Sequence, residues 1–176
     1  RAAPEKALSP VRAGEAMLPK GASVPDFSLP CAYADGRRTP VQLKEALAKG
    51  PVVLSFFPLA FTRVCTTQMC DTRDHHAALD ALQATVFGFS CDSAWANAHF
   101  AKEQGLQHGI FSDANRDVVR QIWETETTAG VRDVPKRGWM LIVPDGTLAD
   151  QWVANAPGEP WPGHAPIVAA IRALRG

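Results

Sequence analysis

The chain of 176 residues is long enough to bury the core of one domain. Its 18 Lys and Arg residues balance 18 Asp and Glu residues, which indicates neither a basic nucleic-acid-binding surface nor an acidic solvating tail. Four cysteines are too few for a small disulfide-stabilised scaffold, and no apolar run approaches the length of a membrane span.

The first 20 residues, "RAAPEKALSPVRAGEAMLPK", are rich in Ala, Pro and charge. This composition predicts an N-terminal extension with little core of its own, followed by a single domain over residues 21–176. The extension lacks the charged-then-apolar pattern of a signal peptide, so we expect a cytoplasmic protein. We expect neither a nucleic acid nor a membrane as its partner.

Strands and helices alternate in the first half of the predicted structure. A short extended piece, "VPDFSLP", precedes a "DGRRT" turn. The following "TPVQLKEALAKG" predicts a short helix with Thr39 as N-cap and Pro40 at its first position. β-Branched and aromatic residues predict a buried strand over residues 52–57, which Pro58 ends. A helix over about residues 64–83 is predicted next.

The second half adds strands, helices and a late hairpin. "TVFGFS" predicts an apolar strand, and "DSAWANAHFAKEQG" and "DANRDVVRQIWE" each predict a helix. "WMLIV" and "LADQWV" flank the turn "PDGT" and predict a hairpin. A final amphipathic helix is predicted to carry Ile167, Ile171 and Leu174 on one stripe. This order predicts an α/β domain whose mixed central sheet has helices on both faces.

One thiol occupies a position that favours reactivity. Cys65 falls in the first turn of the helix that follows the strand at 52–57, where backbone N–H groups and the helix dipole stabilise an anion. The thiolate is the reactive form of cysteine. Thr62, three residues earlier, is either a plain N-cap or a donor to the sulfur or to an oxygen bound beside it, and the two roles are compatible. Arg137 is either a solvated charge or, if it lies near Cys65, a group that stabilises the thiolate and binds a substrate oxygen.

The remaining cysteines and the two adjacent histidines are interpreted as residues without a role in chemistry. Cys91 ends an apolar strand and is interpreted as a core residue, and Cys31 is placed in a loop without a role. His75 and His76 are interpreted as solvated helix residues. Their spacing from Cys65 and Cys70 fits no common zinc pattern, so neither a metal nor a cofactor is expected.

Two motifs resemble a known enzyme family. "FFPLAFTRVC" is similar to the peroxiredoxin active-site pattern Pro-x-x-x-Thr-x-x-Cys. "CTTQMCDTRD" resembles the bacterioferritin-comigratory, or Q-type, branch of that family, which commonly reads Cys-Thr-x-Gln-x-Cys-x-x-Arg-Asp. The similarity covers about residues 20–155. It implies a thioredoxin-like fold and thiol-dependent reduction of hydrogen peroxide and organic hydroperoxides.

The resemblance also assigns roles to individual residues. It implies that Cys65 is the peroxidatic cysteine, that Pro58, Thr62 and Arg137 complete its pocket, and that Cys70 is the resolving cysteine. In an intact helix, positions five apart are separated by ~7.5 Å along the axis and by about 140° around it. The first turns must therefore unwind before a Cys65–Cys70 disulfide can form. The implied partners are a peroxide and thioredoxin or a similar thiol reductant, and the protein is expected to be a monomer or a homodimer.

Two other functions stay open on the sequence. In a one-Cys peroxiredoxin, Cys70 would be idle and an external thiol would resolve Cys65. In a redox sensor or relay, oxidation would pass to a partner protein. The segment "NAPGEPWPGH" is unusually rich in Pro and Gly, which predicts either a loop near the pocket or an association surface.

Overall fold

A computed structural model describes residues 17–156 and 159–174 of the chain. Residues 1–16 of the predicted N-terminal extension lie outside this part. None of the helices within these ranges is long and apolar enough to cross a membrane. The nine strands and six helices in these ranges are β1 Ser28–Ala32, β2 Arg38–Gln42, α1 Leu43–Leu47, β3 Val52–Phe56, α2 Arg63–Asp74, α3 His76–Ala81, β4 Thr85–Ser90, α4 Ala94–Glu103, β5 Ile110–Ser112, α5 Val119–Ile122, β6 Thr125–Thr128, β7 Val131–Pro135, β8 Gly138–Ile142, β9 Leu148–Val153 and α6 Ala165–Ala173.

Seven strands form one mixed sheet in the order β2-β1-β5-β4-β3-β8-β9. The central strand β3 runs parallel to β4 and antiparallel to β8. The strands β8 and β9 form the predicted late hairpin. Strand β3 is therefore an interior strand of the sheet. From its carboxyl end, the chain passes directly into the loop before α2.

Helices cover both faces of this sheet. Alternate residues of β3 point to opposite faces, as in any strand. Leu54 and its neighbours on one face pack in the core that includes α1 and α5. Val53 on the other face packs with α3 and α6, and Ser55 on that same face meets α2. This arrangement confirms the predicted α/β domain, with the mixed sheet and two helical layers of a thioredoxin-like fold.

The prediction of a helix starting at Thr39 was wrong. Thr39 and Pro40 belong to β2, and Thr39 pairs with Cys31 of β1. Helix α1 begins only at Leu43, after Gln42 as N-cap. Since β2 is an edge strand, the missing N–H of Pro40 costs no ladder bond in the sheet interior. The same pairing places Cys31 in a strand, so its predicted loop position was also wrong.

Three predicted helices differ in extent. The helix expected over 64–83 divides at His75, which ends α2 and precedes α3. The helix expected in "DANRDVVRQIWE" shortens to α5, and an unpredicted hairpin of β6 and β7 follows it. The last helix, α6, buries Ile167 and Ile171, but Leu174 follows the helix and is 42% exposed. Leu174 therefore does not belong to the buried stripe.

Candidate active site

Cys65 lies in the first turn of α2, just after the loop that follows β3. It is the third residue of α2, and its side chain is only 1% exposed. Phe57 and Met69 pack in the same core cluster. The N–H groups in the first turn of a helix have no partner within the helix, so they can stabilise a negative charge near the sulfur.

Arg137 lies beside this thiol and is itself buried. Its Nη2 donates to Cys65 Sγ over 3.5 Å, and its Nη1 donates to Gln68 Oε1 over 2.6 Å. Gln68, one turn after Cys65 in α2, donates from Nε2 to Ser55 Oγ and to the Phe56 carbonyl oxygen. The guanidinium is thus held by the central strand through Gln68. Its positive charge faces the sulfur in a buried place, where the attraction for a thiolate is strong.

Arg137 also retains an unused donor. Its Nε is buried and has no hydrogen-bond partner among residues 17–156 and 159–174. A buried N–H without a partner is costly, so such a group is normally satisfied by a ligand or by water. Among the described residues, the guanidinium is therefore held through its two terminal nitrogens, Nη1 and Nη2, and not through Nε.

A cavity of about 180 Å³ opens over Cys65. A cavity of this size accepts a small polar group beside the sulfur. Its walls come from the β3–α2 loop, the β6–β7 hairpin, Arg137 and the segment after β9. The lining residues are Pro58, Leu59, Thr62, Arg63, Val64, Cys65, Glu126, Thr128, Ala129, Arg137, Ala154 and Ala156.

Four of the five predicted site residues line this one cavity: Pro58, Thr62, Cys65 and Arg137. Thr62 is the N-cap residue of α2, and its Oγ1 donates to the Leu59 carbonyl oxygen over 2.9 Å. Its oxygen lone pairs remain able to accept a bond from a ligand. Ala156, the second residue of the Pro- and Gly-rich segment, also lines the cavity, which agrees with a loop near the pocket.

Cys70 lies apart from the cavity. It is in the same unbroken helix as Cys65, half-buried, and its Sγ lies 3.6 Å from Gln104 Oε1. All four cysteines carry free thiols. Helical geometry separates Cys65 and Cys70 by ~7.5 Å along the axis and about 140° around it, so they cannot form a disulfide while α2 is intact.

The sequence did not point to Gln68 as a site residue or to the cavity wall formed by Glu126. Gln68 belongs to the motif "CTTQMCDTRD", but the motif alone indicated no role for its side chain. Glu126 comes from the unpredicted hairpin, and burial raises the pKa of its carboxyl, an effect that Lys136 and Arg137 oppose. The turn of this hairpin uses Ala129 and Gly130, both at positive φ. The pair Ala-Gly is a weaker hairpin signal than Asn-Gly or Asp-Gly, so the hairpin was missed.

Cys31 and Cys91 lie in the core on the far side of the sheet from Cys65. Burial raises the pKa of the Cys31 thiol to about 11, although a hydrogen bond with Tyr33 opposes it. Burial, aided by the charge of Asp113, raises the pKa of the Cys91 thiol to about 12. Both groups are therefore neutral and shielded at physiological pH. The predicted core position of Cys91 is confirmed.

We expect thiol labelling to separate the two classes of cysteine. At pH 8, the raised pKa of Cys31 leaves about one thousandth of it as thiolate, and Cys91 still less. Brief treatment of the native, reduced protein with iodoacetamide should therefore leave Cys31 and Cys91 unmodified in a peptide map. The same treatment in guanidinium chloride is the control and should modify all four thiols. Rapid modification of Cys31 in the native protein would contradict its buried, neutral state.

His75 and His76 are not equivalent solvated side chains. His75 ends α2, its Nδ1 lies 3.2 Å from Asp71 Oδ1, and its ring stacks on that of His164. Asp71 Oδ2 accepts hydrogen bonds from Trp161 Nε1 over 2.7 Å and from His164 Nδ1 over 2.6 Å. Burial alone would raise the pKa of the Asp71 carboxyl, but these bonds hold it below its usual value. His76 instead pairs with the exposed Asp80.

Comparisons with known proteins agree with this geometry. The profile of the AhpC/TSA family matches residues 20–151. Peroxiredoxin Bcp of Bacillus subtilis is 29% identical over 104 residues, which are 57% of this chain and 66% of that protein.

Two solved structures are similar along most of the chain. Peroxidoxin BcpB from Mycobacterium tuberculosis has a TM-score of 0.76 and 30% identity, with 89% of this chain and 98% of that chain covered. AhpC of Enterococcus faecalis has a TM-score of 0.78 at 21% identity, with 89% and 92% covered, and supports the fold alone. With a family match along three quarters of its length and a cysteine held against a buried arginine, the chain belongs to the AhpC/TSA family of peroxiredoxins and is a thiol-dependent peroxidase.

Proposed function

We propose that Cys65 reduces hydrogen peroxide and organic hydroperoxides and that Cys70 then resolves it through an intrachain disulfide. The observation that supports this proposal best is the contact between Arg137 Nη2 and Cys65 Sγ at the bottom of the cavity. It places a buried positive charge against the one thiol that lines the cavity.

In the first step, the Cys65 thiolate attacks the terminal oxygen of the peroxide. The S–O bond forms as the O–O bond breaks, and the departing alkoxide or hydroxide takes up a proton and leaves as an alcohol or water. Arg137 and the N–H groups at the start of α2 stabilise the charge that develops on the two oxygens. Pro58 is buried at the cavity wall and limits the access of water to the sulfur.

In the second step, the Cys70 thiol condenses with the Cys65 sulfenic acid. The S–S bond forms, and the sulfenic hydroxyl leaves as water. Because α2 holds the two residues apart, its first turns must unwind for this step. A thioredoxin-type dithiol then reduces the disulfide by exchange and restores both thiols.

Mass spectrometry after one equivalent of peroxide tests the proposal directly. We expect a monomer, on a non-reducing denaturing gel, that carries a Cys65–Cys70 disulfide. A stable sulfenic acid on Cys65 without a disulfide would favour the one-Cys alternative. A disulfide that forms but supports no steady turnover with thioredoxin would favour the relay. A link through Cys31 or Cys91 would contradict the assignment of Cys70.

We expect Arg137→Ala to slow the oxidation of Cys65 by about 100-fold or more, the cost of removing one donor that stabilises transition-state charge. The rate should be measured by stopped-flow mixing with peroxide before steady state. Arg137→Lys tests geometry, because an ammonium keeps the charge but loses the paired donors to Gln68 and Cys65. Arg132→Ala is the matched control, since Arg132 is exposed and lies outside the cavity wall. An unchanged rate in Arg137→Ala would show that this arginine is only structural.

A further inference from the structure

A second cluster of metal-ligand side chains joins α2 to the segment before α6. Asp71 lies in the last turn of α2, His75 follows that helix as its C-cap, and His164 immediately precedes α6. One potential ligand atom from each of the three residues lies within 4.8 Å of the other two. This cluster is separate from the cavity over Cys65, since none of its members lines that cavity.

We propose that Asp71, His75 and His164 form a binding site for a divalent transition-metal ion of the zinc class. Two imidazole nitrogens and one carboxylate oxygen are a donor set that zinc accepts, and three protein ligands leave a fourth position for water. With bonds of ~2.0–2.1 Å, two ligand atoms of a tetrahedral site lie about 3.3 Å apart. Asp71 Oδ1 and His75 Nδ1 are separated by 3.2 Å, and His75 Nδ1 also lies 2.9 Å from the Asp71 carbonyl oxygen, a contact that is lost when the ring turns toward an ion.

Two of the ligands are held in place by their surroundings. The His164 side chain is completely buried, so its ring has little freedom to turn away. Trp161 Nε1 donates to Asp71 Oδ2, the kind of outer contact that orients a carboxylate ligand. His164 Nε2 has no hydrogen-bond partner in the described ranges, so Asp71 is the polar group that now orients this ring.

The third ligand, His75, gives the ion access from solvent and can reorient its ring. The His75 side chain is 46% exposed, so an ion can reach the cluster from solvent. The His75 and His164 rings now stack at 5.1 Å with planes 11° apart, whereas a ligand ring must point a nitrogen at the ion. Binding therefore turns the exposed His75 ring out of the stack. It also replaces the proton between His164 Nδ1 and Asp71 Oδ2 and widens their 2.6 Å separation.

The test uses zinc chloride in competition with a chromophoric chelator. Because thiolates also bind zinc, the first protein titrated is the full chain carrying Cys65→Ser and Cys70→Ser. We expect one zinc ion per chain and a higher melting temperature with zinc, since the ion binds the folded state. His75→Ala in the same background should weaken binding by at least about tenfold, the lower end of the loss seen even for outer contacts.

Two further variants make the result specific. Trp161→Phe keeps all three ligands but removes the donor to Asp71, and it should weaken zinc binding by about 10–100-fold. His99→Ala is the matched control, because His99 is a 73% exposed histidine on α4 that pairs with Glu103. It should leave the affinity unchanged. The proposal is overturned if the double serine protein binds no stoichiometric zinc, or if His75→Ala and His99→Ala bind zinc equally.

Discussion

Cys65→Ser should reduce peroxide turnover to the rate of the uncatalysed reaction. A serine hydroxyl remains protonated beside Arg137 and cannot attack a peroxide oxygen as a thiolate does. The measurement is peroxide consumption in the presence of a thioredoxin system, together with the oxidation state of each cysteine by mass spectrometry. Serine is close in size to cysteine, so the packing against Phe57 and Met69 should survive.

Cys91→Ser is the matched control for this loss. It makes the same atomic change at another buried thiol, one that lies outside the cavity over Cys65. Its turnover should equal that of the wild type. If Cys65→Ser retained activity, or if Cys91→Ser lost it while still folded, the assignment of the attacking thiol to the cavity would be wrong.

Cys70→Ser should separate the first oxidation from repeated turnover. The variant should consume a single equivalent of peroxide at the wild-type rate, because Cys70 lies outside the cavity. It should then accumulate sulfenic acid on Cys65 and proceed more readily to sulfinic acid, since no internal thiol removes the sulfenic oxygen. Turnover with thioredoxin should fall sharply. Trapping with dimedone and intact-mass measurement distinguish these states.

The wild-type protein provides the structural comparison for this experiment. Its oxidised form should lose helical circular dichroism and gain amide exchange over α2, because the helix must open for the disulfide to close. Oxidised Cys70→Ser should keep both signals near those of the reduced protein. Equal turnover of Cys70→Ser and wild type with a small external thiol would instead establish the one-Cys mechanism.

The main elements of the fold were predictable because local signals agreed with burial. Ser93 caps α4 by accepting from Ala96 N–H, and Gly105 ends it at a positive φ, as its sequence indicated. The central strand was marked by consecutive β-branched and aromatic residues that the sheet buries on both sides. Failures came where tertiary pairing overrode a local pattern. Thr39 and Pro40 are residue types that favour the N-cap and the first position of a helix, yet their backbone pairs with β1.

The candidate site was only partly predictable for a related reason. Thr62 and Cys65 are neighbours in sequence, so a motif can report them together. Arg137 lies 72 residues from Cys65, and a single sequence cannot measure their contact without the family resemblance. The cluster of Asp71 with His164 spans 93 residues and has no motif at all. His75 therefore could be interpreted only as a solvated helix residue.

The bond between Trp161 and Asp71 also gives the protein a native optical probe. Asp71 directly follows Cys70, so any unwinding of α2 that moves Cys70 also displaces the Asp71 carboxylate. That carboxylate accepts the hydrogen bond from Trp161 Nε1. The same indole lies edge-on to His164, with ring centroids 5.5 Å apart. Loss of the bond changes the polarity around this indole and hence its emission. A rapid-mixing fluorescence trace, with Trp161→Phe as its blank, would therefore follow the opening and reclosing of the helix in real time without an attached dye.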